Sequence, residues 1–318
     1  MDYQEFIEAL EIGGEVIQRS FDNWQTPVFF FQFSAGFELD NLFDESPQAL
    51  EMCTLPMMPP FHTPDRHQPI LLYGTSDGYP ILVASGHRHL FEGLGVAPCI
   101  LPTCLAWKLG ISRCTYIDPV LSLIPELKTG TWTLLTDFIN GHHLSPLDGL
   151  FPLLEVPFPD MTHALSQRLN SELVNALSRV AVSPRLCIYE ALPGSHFCTP
   201  AEAQMARAGH AELVGHDMVM EIITAHALGC QVAALGLVAE MAPAAGTRPL
   251  QRSTMLENCR FCSEPLLRGL RMAISEIADA PSLPNSPMLP EATADEALFS
   301  DFKRPSGKEP TLKRFLKH

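Results

Sequence analysis

Apolar residues along this chain change their spacing several times, and each change marks an element. Residues 1–23 alternate on a helical period and end in a polar link. Short apolar, β-favouring runs follow at Pro27–Phe33, Ile70–Tyr73 and Ile81–Ala84, each stopped by Gly, Ser or Asp. Further strands are expected at Cys114–Ile117 and Trp132–Leu135. A helix is expected over His163–Val180, then a strand at Arg185–Ala191. Thr199-Pro200-Ala201-Glu202 reads as a helix start, with Thr capping, Pro opening the first turn and Glu closing the box. A helix over Met218–Leu228 and a strand over Gln231–Val238 complete the pattern. Strands alternating with helices, with no internal repeat, indicate one α/β domain built on a central sheet.

The pattern stops near residue 280. Pro281, Pro284, Pro287, Pro290, Pro305 and Pro310 interrupt any regular element, so the domain is assigned to 1–280 and a Pro-rich, disordered tail to 281–318. The tail ends with Lys303, Arg304, Lys308, Lys313, Arg314 and Lys317 against the single acid Glu309. That is either a solvated terminus or a docking segment for an acidic protein partner.

Composition narrows the function classes. The 318 residues are 46% hydrophobic and 18% charged, with a formal net charge of −15. So acidic a chain has no overall attraction to nucleic acid or anionic lipid. No apolar run is long enough to cross a membrane. The start MDYQEFIEALEIGGEV has no basic-then-apolar leader, and nine cysteines are scattered singly. Both point to reduced thiols in a cytoplasmic protein.

At Gly86-His-Arg-His-Leu-Phe-Glu-Gly93 the chain resembles the trimeric purine nucleoside phosphorylases and their methylthioadenosine phosphorylase relatives, whose signature is G-R-x-H-x-Y-E-G. The similarity continues from Phe33-Ser34-Ala35-Gly36, at the family's phosphate loop, to Thr136–Asn140, which is similar to D-H-I-N. It goes on through Phe158-Pro159-Asp160-Met161 (F-P-x-M) and Gly194–Glu202 (G-P-S-F-E-T-P-A-E). It ends with Val214–His226, beside V-G-M-S-x-V-P-E. The segments stand in family order between about residues 25 and 245. The resemblance implies a single α/β domain whose mixed sheet closes into a distorted barrel flanked by helices. It also implies a homotrimer in which Phe158 covers a neighbour's ribose, and a purine nucleoside or base as ligand.

The family reaction is phosphorolysis, which must hold a dianion and neutralise a departing purine. Carried over position by position, Ser34 and His89 match the phosphate ligands. His87 replaces the family's Arg, and Arg88, one residue on, is expected to face the opposite way. Asp118-Pro119 stands where a backbone amide should be, and a proline has none. Asp217 replaces a phosphate-binding Ser, placing a carboxylate where a dianion should sit. At the base end, Phe197 is kept, while Cys198 replaces the purine-gripping Glu and Ala239 the Asn that bonds the leaving purine. Phe91 loses the ribose-contacting hydroxyl, and His216 replaces a Met under the sugar. The binding residues implied are therefore Ser34, His89, Phe91, Asp118, Phe158, Phe197, Cys198, His216 and Asp217. No catalytic residue, metal or cofactor is assigned. The resulting reading is a homologue that binds a nucleoside or base without ordinary phosphorolysis. Its alternative is an active nucleoside-cleaving enzyme, phosphorolytic on an unusual substrate or hydrolytic with Asp217 activating water.

Other constellations compete. His196, Cys198, His216 and Asp217 would make a metal cluster or a Cys–His pair if the fold brought them together. Cys259-Arg-Phe-Cys262 is a lone C-x-x-C, read as two thiols near a helix start. Glu221 is open to helix-capping, subunit-contact or ligand roles.

Overall fold

The computed structural model describes residues 3–34, 36–60, 68–150, 153–154, 158–244 and 248–278. These belong to one compact unit spanning 1–283. The expected tail at 281–318 and its basic residues lie outside the described residues, as does Ala35 of the expected phosphate loop.

Nine strands form one sheet among the described residues: β1 (Phe29–Phe33), β2 (Gln48–Glu51), β3 (Ile70–Ser76), β4 (Tyr79–Ser85), β5 (Arg113–Ser122), β6 (Trp132–Asn140), β7 (Arg185–Ala191), β8 (Leu213–Gly215) and β9 (Gln231–Met241). Their order is β2-β3-β4-β1-β5-β8-β7-β6-β9, and β9 pairs back onto β5. That last pairing closes β5, β8, β7, β6 and β9 into a five-stranded mixed barrel, with β1–β4 as an open extension. The fold class expected from the resemblance is the one observed.

Among the described residues six α-helices pack around it: α1 (Tyr3–Ser20), α2 (Ala97–Lys108), α3 (Gln167–Arg179), α4 (Pro200–Ala208), α5 (Val219–Ala227) and α6 (Arg252–Ala278). In β1 the side chain of Phe30 joins the core under α1, α2 and α5, while Phe29, Phe31 and Phe33 join that under α3 and α6. Both faces of the strand are thus covered, which is why β1 reads as an unbroken apolar run. Each such buried Phe contributes about 1.5–3 kcal/mol through burial.

The expected cap at Thr199 is present: Glu202 N–H donates to Thr199 Oγ1 at 3.2 Å, and Thr199 N–H donates to Glu202 Oε2 at 2.7 Å. Helix α2 had no sequence expectation, and α6 only a helix start near the C-x-x-C pair. Helix α2 is buried on nearly every face and carries Pro102, so no polar stripe betrays it. Helix α6 carries Pro265, and the C-x-x-C pair lies inside it rather than at a helix start.

Pro119 is tolerated within β5 because of where the neighbours change. Strand β5 pairs with β1 as far as Ile117 and with β8 only from Leu121. Over the interval between them, a missing N–H on that edge leaves no ladder bond unmade.

Candidate functional site

The parallel strands β1 and β4, with the middle of β5, bring their carboxyl ends together. Ser34 N–H donates to Ile117 O at 3.0 Å, and Gly86 N–H donates to Phe33 O at 2.8 Å. The first ties the segment after β1 to β5, and the second ties the segment after β4 to the end of β1. Ser34, His87 and Asp118 meet as a result, at the end of the sheet where α/β proteins build their sites.

Ser34 Oγ lies 3.0 Å from His87 Nε2 and donates a hydrogen bond to Asp118 Oδ1. His87 Nδ1 faces the carbonyl of Arg88 at 3.0 Å, an arrangement satisfied when Nδ1 carries the proton. Burial foremost, then the Asp217 charge, pushes the Asp118 carboxyl well above its ordinary range, against the lowering effect of Ser34. Ser34 thus links the two groups, its hydroxyl donating to Asp118 and its oxygen lying beside His87 Nε2.

The second half comes from the start of α5. Asp217 Oδ1 lies 2.7 Å from His89 Nδ1. His89 stacks on Phe91 with ring centroids 4.6 Å apart, and the His87 and His89 centroids are 4.4 Å apart. Burial alone would raise the Asp217 carboxyl, but His89, His87 and His216 together hold it well below its usual value. Asp217 therefore stays ionised. Its backbone is clamped by Tyr189, whose hydroxyl donates to Asp217 O at 3.0 Å. Met218, next in the chain, is held at φ +70° while its side chain is buried in the core. Such a backbone costs about 1–3 kcal/mol and persists only where packing enforces it.

Glu221, one turn into α5, is 2% exposed and accepts from Gln32 Nε2 at 3.0 Å. It lies 3.8 Å from His87 Nδ1. Burial raises its carboxyl to about 7, with His87 opposing and Asp217 reinforcing. Arg88 is also buried and holds Glu92 Oε2 at 2.8 Å. Arg88, His142, His216, Asp217, Met220 and Glu221 surround a void of only about 10 Å³, room for about one water.

A second, larger cavity of about 360 Å³ is lined by Phe197, Cys198, Pro200, Pro243, Ala244, Arg248, Pro249 and Leu250. Ala239 lies beneath it, in the same apolar cluster as Cys198 and Leu250. Val120 pairs with Val238 but Leu121 with Glu240, so Ala239 is the extra residue of a bulge. Asn258 of α6 donates to the Ala239 carbonyl at 2.8 Å. The cavity offers apolar walls and one cation, Arg248, which pairs with Glu240 at 2.6 Å.

Comparison with known proteins now decides the lineage. The sequence model of the phosphorylase superfamily matches residues 48–266. This chain belongs to the phosphorylase superfamily. Purine nucleoside phosphorylase 1 of Geobacillus stearothermophilus is 27% identical over 246 residues, covering 76% of this chain and 89% of the relative. The purine nucleoside phosphorylase of Cellulomonas is 33% identical over 178 residues, covering 55% and 59% respectively. A Schistosoma mansoni purine nucleoside phosphorylase solved in complex with inosine superposes with a TM-score of 0.76 at 20% identity, covering 87% of this chain and 98% of that one. With the purine nucleoside phosphorylase of Mycobacterium leprae 30% identical over 203 residues and covered to 71%, the chain is a divergent member of the purine nucleoside phosphorylase family.

Within this phosphorylase-superfamily fold the residues named from sequence fall into separate places. Ser34, His89, Asp118 and Asp217 converge, joined through His87, with Phe91 stacked on His89. His216 stands at the edge of that group, its Nδ1 2.9 Å from Leu192 O and its ring edge-on to Phe91. Phe197 and Cys198 line the other cavity. Phe158 is 79% exposed and belongs to neither lining. The alternative cluster is corrected: His196 turns back on its own loop toward Phe197 O and Cys198 borders the apolar cavity, so neither joins Asp217. The opposite-face reading of Arg88 holds only for a continuing strand, and β4 ends at Ser85; Arg88 lines the same void as Asp217. Sequence reasoning passed over Tyr189 and Gln32, which carry no signal beyond a buried strand.

Proposed function

We propose that this protein binds a purine nucleoside or free purine and does not perform ordinary phosphorolysis. One observation carries this reading: the ionised Asp217 carboxylate is hydrogen-bonded to His89 where the resemblance places the phosphate. The anion's position is supplied by the chain itself. The void beside it, about 10 Å³, is too small for phosphate, and Ser34 is engaged by His87 and Asp118. The apolar cavity at Phe197 and Cys198 supports a planar, weakly polar occupant such as a purine. Ala239 supplies no side-chain donor for a departing base. Purified protein incubated with inosine, guanosine, adenosine or methylthioadenosine should release no base that depends on added phosphate. One of these ligands, or its base, should raise the melting temperature. Phosphate-dependent release would overturn the reading.

A second reading rests on the same pair. Asp217 and His89 have side chains 13% and 18% exposed, a carboxylate–imidazole dyad within reach of water. That arrangement suits hydrolysis, and its signature is base release at equal rates with and without phosphate.

The same reading includes a homotrimer in a cytoplasmic setting with all nine cysteines reduced. Its support is the exposure of Phe158 (79%) and Leu144 (53%), large apolar side chains that a monomer leaves in water. Light scattering should give a mass near three chains. A monomer at micromolar concentration would defeat the assembly and the role of Phe158 at a neighbour's site.

A further inference from the structure

We propose that His87, His89 and Asp217 form a binding site for a divalent cation of the Zn²⁺ class. The two imidazoles and the carboxylate offer ligand atoms that all lie within 4.8 Å of one another. Three protein donors of this kind, with a water in the fourth position, are a recurrent arrangement for Zn²⁺.

The fold supplies what such a site needs. His87 and His89 come from one short segment after β4, and Asp217 comes from the start of α5, so the site closes across two elements. His87 directs Nδ1 at the Arg88 carbonyl and Nε2 at Ser34 Oγ, 3.0 Å away, so an ion taken by Nε2 displaces the Ser34 hydroxyl from that nitrogen. Histidine ligands commonly hold their second nitrogen this way, because the outer bond fixes the tautomer and orients the ring. Tyr189 holds the Asp217 backbone.

Two further carboxyl groups stand beside the donors, Asp118 through Ser34 and Glu221 at 3.8 Å from His87. Arg88 is held by Glu92 at 2.8 Å. Metal–ligand distances of about 2.0–2.2 Å set donors roughly 3–3.5 Å apart. Binding therefore draws in the widest spacing and opens the 2.7 Å His89–Asp217 contact, movements within reach of side-chain rotation.

The proposal rests on the reading that phosphate does not take this pocket, and the two fail separately. Chelator-treated, full-length protein is titrated with Co²⁺ in phosphate-free buffer. The expected result is one equivalent bound, with visible ligand-field bands of a nitrogen- and oxygen-coordinated ion that Zn²⁺ abolishes. Asp217→Asn, nearly isosteric, and His87→Ala should each weaken binding about tenfold or more. Cys262→Ser, outside the site, should leave the titration unchanged. A near-ultraviolet thiolate-to-cobalt band would place the ion on a cysteine and overturn the proposal. Equal affinity of wild type and Asp217→Asn would do the same, and so would the absence of ligand-field bands. The wild-type spectrum decides the matter even if a variant does not fold. Thermal stabilisation of metal-free protein by phosphate would instead defeat the phosphate-exclusion reading.

Discussion

Millimolar phosphate or sulfate should leave the melting temperature of the wild-type protein unchanged, and Asp217→Ser with His87→Arg should make it respond by several degrees. Asp217 is held ionised beside His89. Two like unit charges about 4 Å apart cost roughly 4 kcal/mol at an effective dielectric near 20. That is close to a thousandfold in affinity. Replacing Asp217 with Ser removes the repulsion, returns the His89 ring nitrogen to a ligand and enlarges a void of about 10 Å³. Replacing His87 with Arg adds a forked donor suited to an oxyanion. A ligand at about a hundred times its Kd stabilises the folded state by about 2.7 kcal/mol, several degrees for a chain of this size. Phosphorolysis should stay absent in the double variant. Ala239 gives the departing base no hydrogen bond from its side chain, and Cys198 gives it no carboxylate. Strong stabilisation of the wild type by phosphate would mean that Arg88, which lines the same void, turns from Glu92 to the anion.

The residues behind this expectation differ in how legible they were. Strand positions with abrupt polar stops, such as β1 and β4, show in the sequence because burial on two faces leaves an apolar run between turn residues. Helix α2 does not show, because a helix buried all round has no polar stripe and Pro98 and Pro102 read as breakers. Helix α6 is masked in the same way by Pro265, and β8 is only three residues long. In the site, Asp217 and His87 stand out because each replaces a phosphate-binding residue of a resembled motif. Their pairing does not follow from that alone. Asp217 meets His89 across 128 positions of sequence, and the contact depends on how α5 begins at a strained Met218. The expected convergence with His196 and Cys198 fails for a local reason. His216 packs so closely on Gly194 that a Cβ there would lie 2.9 Å from its ring, and beyond that point the loop turns toward the apolar cavity.

Glu221 supplies the second large effect, through pH. Its folded value is raised to about 7 from an ordinary 4.5, chiefly by burial, so the native state holds a proton that the unfolded chain has released. Between those values the native state binds more protons, and stability must fall as pH rises. The contribution is fully present below pH 4.5 and is lost as pH passes through about 7. Asp217 has the opposite sign: its value is lowered, so its contribution is present above its ordinary 3.8 and is lost only at more acid pH. Asp118, raised by burial, acts in the same direction as Glu221, so the comparison must isolate one group. Glu221→Gln does so. The amide keeps an oxygen to accept from Gln32 and carries no charge at any pH. The variant should match the wild type near pH 4.5 and exceed it near pH 8 by about 3 kcal/mol, since each pKa unit corresponds to 1.36 kcal/mol. Urea unfolding at several pH values reads this difference directly. Parallel profiles for the two proteins would show that Glu221 is ionised throughout and would overturn the expectation.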